Sequence, residues 1–516
     1  MKKTINKTAF VSKPVAAAVG LAMGALVAAN AQAVSISNDG IGEVLLFPYY
    51  TVNNGYNTNI NITNTTADTV AFKIRFRESE NSRDARDFNV VLSPYDVWNA
   101  SIVKTAQGGA RVQTFDTSCT VGKLEPSAEF DVPGVDFTNA DFSGGNKDTG
   151  REGLDRTTEG HIEVISMGRI IGGTDALVTG KSIAYNAKHV NGTPRDCDAV
   201  RDLMINKDTI TTAREQFVAP INALKGSVTF QNVNSGKQIT SEPTVLADFY
   251  NPASSTENLV VLPSTQAPGL HDVTPAEAYW LSDVSSTIDM EMFDAAASSQ
   301  AVDAVSALLM RKSIVNQYSV NPFNEAKTDW VVTFPTKHYY VDERNPLENV
   351  VDDSSYYSTY NHLVGDDAAI APFNTTFQQS TNGSVAACAE VGVDFVYYNR
   401  EEAGAKVENP GFSPASKADS QSLCKETQVV TFNNSNLFGA HGAVGVDVAA
   451  DGFNSGWMNM NFNDSAELTD GRITLDGYPV TGFSATTLEN GVGSEGILNY
   501  GFSANHGYTR DETLNP

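Results

Sequence analysis

Across 516 residues the chain carries 61 Asp and Glu against 35 Lys and Arg, a formal net charge of −26. A surface of that sign repels nucleic acid and anionic lipid headgroups, so neither is expected as a partner. The length is enough for two or more hydrophobic cores.

The first 33 residues have the form of a secretory leader. Lys2, Lys3, Lys7 and Lys13 make a positive start, Val15 to Ala29 an apolar stretch, and Ala31-Gln32-Ala33 a small-residue cleavage site. The apolar stretch is short and rich in Ala and Gly, which disfavours a retained anchor. No Cys follows it to carry a lipid, and no later apolar run reaches membrane-spanning length. Without the leader, 31 basic residues face 61 acidic ones, a formal charge of −30. The expected location is extracellular, at the cell surface or in the periplasm. Four cysteines in an oxidising compartment predict two disulfides. Three pairings are possible. With two cysteines in each half, Cys119–Cys197 and Cys388–Cys424 are expected, and the absence of C-x-x-C argues against zinc or a thioredoxin-like site.

Period-two alternation begins directly after the leader. Glu43 to Thr51 is apolar and aromatic and ends at the Asn53-Asn54-Gly55 turn. Ile60 and Ile62 alternate with Asn59, Asn61 and Thr63. Val70, Phe72, Ile74 and Phe76 alternate with Ala71, Lys73, Arg75 and Arg77, which reads as a half-buried strand with a basic outer face. A fourth strand starts at Phe88 and a fifth spans Trp98 to Val103. Short alternating runs bounded by Asn, Gly, Asp and Pro predict an antiparallel sandwich.

From Gly108 to Arg156 the chain is loop-like. Asp131, Asp136, Asp141 and Asp148 are candidates for calcium, since carboxylate-rich loops suit that ion, although the EF-hand order is absent. Strands return at His161–Ile171, Gly226–Val233 and Pro243–Tyr250, with a short helix over Asp198–Ile205. The Pro- and Ser-rich stretch Asn251–Pro268 reads as a boundary or a surface loop. Thr274-Pro275-Ala276-Glu277 has the form of a capping box and predicts a helix to about Leu281. Val302, Val305, Leu308, Leu309 and Val315 predict a helix over Ser299–Val315. Strands are expected at Trp330–Pro335, His338–Val341, Val391–Asn399, Thr427–Phe432, Val444–Val448 and four times in the Gly- and Asn-rich last ninety residues.

Signatures of catalysis are missing. There is no G-x-S-x-G elbow, H-E-x-x-H, G-x-G-x-x-G or phosphate-binding loop. S-x-x-K occurs at Ser101–Lys104 and Ser422–Lys425, both in segments read as strand, where the two side chains share no helical face. The histidines at 161, 189, 271, 338, 362, 441 and 506 stand apart. The most site-like cluster is Asp342-Glu343 beside His338, Tyr339 and Tyr340, where aromatics could stack on sugar rings. Tyr356, Tyr357, Tyr360 and His362 form an aromatic patch ahead of Asp366-Asp367, and Asp447, Asp451 and Asp464 are further acids of calcium-binding type.

The phrases VSISNDGIGEVLLFPYYT and FKIRFRESENSRDARDFNVVLSPYDVW, with GHIEVISMG, TDWVVTFPTK and GYPVTGF, resemble a set of uncharacterised exported proteins of Gram-negative bacteria. The resemblance implies export and one architecture over most of the mature chain, and no activity.

The expectation is a mainly β protein, one or two antiparallel sandwiches with a small helical insertion. Residues 34–250 form an N-terminal sandwich region, 251–325 a loop and helical insertion, and 326–516 a β-rich region that stands alone or completes the first sandwich. The first functional expectation is a non-catalytic surface or extracellular structural protein that self-assembles, with Val34–Tyr50 adding to a neighbour's sheet. The alternative is a carbohydrate-binding module or adhesin using Tyr and Trp with loop carboxylates and calcium, and a secreted polysaccharide hydrolase comes third.

Overall fold

The structure is a computed structural model describing residues 33–175, 182–282, 289–297, 300–342, 370–377, 388–406, 421–463, 465–493 and 496–515. Nearly all of the expected leader lies outside these residues, as do Glu343, Tyr356, Tyr357, Tyr360, His362, Asp366, Asp367 and Asp464.

The chain is mainly β, and its ladders are antiparallel except for two short parallel pairs. A nine-stranded large sheet runs Asp289–Asp294, Glu277–Ser282, Val34–Ile36, Thr244–Ala247, Val44–Thr51, Glu159–Ile170, Thr69–Glu78, Asp84–Leu92 and Cys119–Val121 in spatial order. Against one face lies a second sheet, ordered Lys237–Ser241, Leu224–Asn232, Asn57–Asn64, Val97–Lys104, Ala110–Gln113 and Gly134–Asp136. Their facing side chains, among them Phe47, Phe72, Phe76, Trp98, Ile62 and Val228, form one core.

A middle sheet from the C-terminal stretch joins this core. Its strands are Val444–Val446, Thr427–Phe432, Lys327–Thr333, Thr481–Gly493 and Gly496–Asn505. Val331, Val429, Phe483 and Ala485 face the first core, where Phe483 stacks on Phe230 at 5.8 Å and Phe438 meets Tyr49 at 5.2 Å. On the opposite face, Trp330, Val332, Val430 and Phe432 meet an outer sheet containing Val391–Asn399, Ser455–Phe462 and Ser313–Ser319. Burial on both faces explains why WVVTF and TQVVTF are nearly continuous apolar runs.

The two disulfides are Cys119–Cys197 and Cys388–Cys424. They tie the folded chain to a non-reducing compartment. Closing loops of 78 and 36 residues removes unfolded-chain entropy worth on the order of 4 kcal/mol each. Cys197 opens the helix Cys197–Met204, whose cap Asp196 accepts from the Ala199 amide at 3.0 Å. Among the described residues no helix is long and apolar enough to cross a membrane.

Several local expectations yield to tertiary pairing. Glu277–Ser282 is a strand, not the helix that the capping box predicts. Thr274 bridges Tyr250, its amide donates to Phe249 O, and its hydroxyl donates to Asp272 O instead of capping a helix. The expected helix Ser299–Val315 is limited to Val302–Leu309 among the described residues. Met310–Arg311 and Ser313–Ser319 are strands because Ile314 and Tyr318 register against Met460 and Gly456. His338–Val341, expected as a strand, is a helical turn.

The largest difference concerns the basic face of Thr69–Glu78, which is buried on both sides. Lys73, Arg75 and Arg77 are at most 5% exposed. Burying a cation costs several kcal/mol unless it is paired, and here acids flank the strand on both neighbours. Lys73 Nζ lies 3.0 Å from Asp87, Arg75 Nε 3.3 Å from Asp84, and Arg77 Nε 2.8 Å from Glu163. Burial penalises the Glu163 charge, but Arg77 and Arg75 outweigh it and hold the carboxyl well below the usual range. The stretch read as a boundary or a surface loop covers this layer. Lys73 donates to the carbonyls of Leu262, Pro263 and Thr265, and Arg75 to those of Gln266 and Pro268.

At the end of the same strand, Glu78 accepts from the backbone amides of Glu80, Asn81 and Arg83 and pairs with the fully buried Arg156 at 2.8 Å. The C-terminal stretch docks on this turn. Glu426 and Thr427 amides donate to Glu80 O and Ser79 O, and Arg83 meets Asp342 at 2.6 Å.

Arg156→Ala leaves Glu78 and Asp148 as buried carboxylates without their main cation. The expected loss is about 3–5 kcal/mol, read as a lower urea midpoint with an unchanged m-value. Glu43, 3% exposed, accepts from the Tyr250 amide at 2.7 Å, and burial pushes its carboxyl up to about 8. Because the folded chain keeps a proton that the unfolded chain releases near pH 4.5, this contribution is complete below that pH and is lost as pH rises through 8. Between pH 4.5 and 8, Glu43→Gln should therefore gain on the parent in urea midpoint.

Candidate functional site

The outer sheet carries an aromatic row on its polar face. In Ser455–Phe462 (SGWMNMNF) Met458, Met460 and Phe462 point into the core, which sends Trp457, Asn459 and Asn461 outward. Val391–Asn399 likewise buries Val391, Val393, Phe395 and Tyr397, and Tyr398 falls on the outer face. Antiparallel register sets Tyr398 opposite Trp457, and Trp457 opposite Gln317 on the next strand. The two rings stack at 4.5 Å with 17° between planes. Trp457 nevertheless stays 41% exposed, a large apolar ring left in water. Gly456 permits this close approach, because a Cβ there would collide with the Tyr398 carbonyl.

These residues line a cleft of about 1040 Å³. The hairpin Thr481–Gly493/Gly496–Asn505 supplies further lining through Ser484, Thr486, Leu488, Phe502 and Ala504. Its alternation is the reason: Phe483 and Ala485 enter the first core, so Ser484 and Thr486 face the other way. Phe502 is 54% exposed. Asn316, Gln317, Asn324 and Asn399 add amides. Tyr318 donates to Tyr398 O at 3.0 Å, and burial raises its phenol to about 12, so it stays a neutral donor. Arg400 and Glu402 are the charged residues of the lining. The volume is at the upper end of ordinary ligand sites. Flat apolar ring faces beside neutral donors and acceptors suit a ligand with one apolar face and many hydroxyls.

The cluster that the sequence favoured is elsewhere and closed. His338, Tyr339, Tyr340 and Asp342 are at most 5% exposed. Tyr339 accepts from the Leu270 amide, Tyr340 bonds Asp303 at 2.7 Å, and His338 Nδ1 lies 2.8 Å from Glu426. These side chains are structural cross-links, and the tyrosines offer no ring to a sugar. His161, read as standing apart, comes within 3.9 Å of Glu163 in the buried charged layer.

The calcium candidates do not converge. Asp131 is exposed, and Asp136 pairs with Arg111 at 2.7 Å. Asp141 accepts from the Asp84 amide, and Asp148 is gripped by Arg156 at 2.6 and 2.7 Å. Asp447 accepts from the Ala450 amide and Asp451 from the Tyr397 hydroxyl. Among the described residues no group of three or more His, Cys, Asp or Glu could hold a metal ion.

Sequence reasoning placed the strand containing Trp457 but did not single out that residue. The available signal was a tryptophan on the polar phase of an alternating strand. No protein-family model matches the chain, and no curated protein is similar to it.

Proposed function

We propose that this is an exported carbohydrate-binding protein of the cell surface or periplasm, with the Tyr398–Trp457 cleft as its binding site. The observation that carries the reading is the stacked aromatic pair held open on the polar face of a rigid sheet, beside Phe502 and a set of amides. The strongly acidic chain favours a ligand without phosphate charge, which separates a neutral glycan from single-stranded nucleic acid, the other common partner of exposed ring stacks.

The self-assembly expectation supplies a less specific reading. Its proposed means, donation of Val34–Tyr50 to a neighbour, has no free strand to use: Val34–Ile36 pairs with Thr244–Ala247 and Glu277–Ser282, and Val44–Thr51 with Glu159–Ile170 and Thr244–Ala247. Other edges are engaged as well. Asn499 and Ser503 of the hairpin donate to Ser235 O and Thr240 O beside Lys237–Ser241, and Arg472 donates to Met292 O at the Asp289–Asp294 edge.

A glycan array followed by isothermal titration calorimetry tests the proposal. The mature protein should bind at least one neutral oligosaccharide saturably, with quenching of tryptophan fluorescence. Trp457→Ala should lose about 30-fold in affinity, near 2 kcal/mol, as expected for a central aromatic anchor, and Tyr398→Ala about tenfold. Failure of the parent protein to bind any glycan, or full affinity in a folded Trp457→Ala variant, sinks the reading.

A further inference from the structure

A second cavity, of about 450 Å³, lies where the N-terminal sheets meet the C-terminal stretch, and Arg311, Lys225, Thr481, Asn505 and Tyr508 are among its lining. Arg311 is 6% exposed, and its guanidinium stacks on Tyr508 at 3.6 Å. Nη1 donates to Leu308 O at 2.9 Å and Met310 O at 2.8 Å. Among the described residues no carboxylate reaches Arg311, and Nε and Nη2 have no protein partner. The nearby acid Glu512 is already used: it pairs with Arg510 at 3.1 Å and accepts from Trp280 and Ser282. Burial without a facing carboxylate pushes Arg311 down to about 10, which marks a cation short of its counter-charge.

We propose that this cavity binds a carboxylate-bearing small molecule, its carboxylate on the free edge of the Arg311 guanidinium and near Lys225. A planar guanidinium matches a carboxylate through two parallel N–H···O bonds. Asp39 and Glu242 also line the cavity, on exposed positions. Their charge disfavours a phosphate dianion more than a monoanion, and so selects the carboxylate. Polar side chains elsewhere in the wall are satisfied internally: His506 bonds Asn316 at 3.1 Å and Val331 O at 3.0 Å, and the Thr244 and Thr481 hydroxyls bond each other at 2.6 Å. The inference does not rest on the glycan cleft, whose aromatic pair it leaves untouched.

The test is calorimetric titration of the mature protein with sodium acetate, benzoate, glucuronate, sulfate and phosphate in a chloride buffer. At least one carboxylate should bind saturably with a sub-millimolar Kd, tenfold or more tighter than sulfate or phosphate. Arg311→Met should weaken it at least 30-fold. Lys225→Glu, at an exposed position that leaves the fold intact, should weaken it about fivefold and keeps the test decisive where Arg311→Met does not fold. Absence of saturable binding by every carboxylate, equal binding of phosphate, or parental affinity in Lys225→Glu overturns the proposal.

Discussion

The buried charge on the strand Thr69–Glu78 is the constraint around which the fold is arranged. Lys73, Arg75 and Arg77 occupy one face of a strand at most 5% exposed at those positions, and no hydrophobic partner could cover them. Each must meet oxygen, and the oxygens come from far away in sequence: Glu163 across one ladder, Asp84 and Asp87 across the other, and the carbonyls of 262–268 above. Glu78 then shapes the turn that receives the C-terminal stretch through Ser79 O and Glu80 O. Replacing such a network by apolar residues need not lower stability, whereas removing one member leaves a stranded charge. What the network supplies is a single arrangement, because an alternative docking would leave its cations unpaired.

The middle sheet carries the second constraint. With one face in each of two cores, it joins the sandwich of the large and second sheets to the outer sheet. The same alternation that sends Phe483 inward sends Ser484 and Thr486 to the cleft, so the proposed binding surface is a by-product of core registration. A stacked pair on paired strands keeps its geometry without the ordering cost that a loop-borne site would pay on binding.

Much of this was legible in residue order. Alternation located the strands around Ile60, Phe72, Trp98, Val228, Phe395 and Met460, because period-two burial is a local pattern. Cysteine spacing and compartment indicated the staples. The candidate site was not legible. The aromatics of His338–Val341 attracted attention because they are adjacent in sequence, yet they lie in the interior. Tyr398 and Trp457, separated by tens of residues, meet only through strand register, and Phe502 reaches the same cleft from another sheet. The capping box at Thr274 failed for a related reason: a local helix signal worth about 1 kcal/mol cannot compete with ladders on both sides of Glu277–Ser282.

The amino-acid sequence by itself determined the class of fold, the excess of acid and the positions of the clearly alternating strands, since all of these depend on composition or on neighbours a few residues apart. Tertiary structure alone decided that a basic strand face would be interior, that a Pro- and Ser-rich stretch would cover it, and which aromatic rings would remain in water. Those outcomes depend on which distant oxygens and ring faces arrive at the same place, and period-two patterning says only that a side chain leaves one face of its sheet, not what waits on the other side.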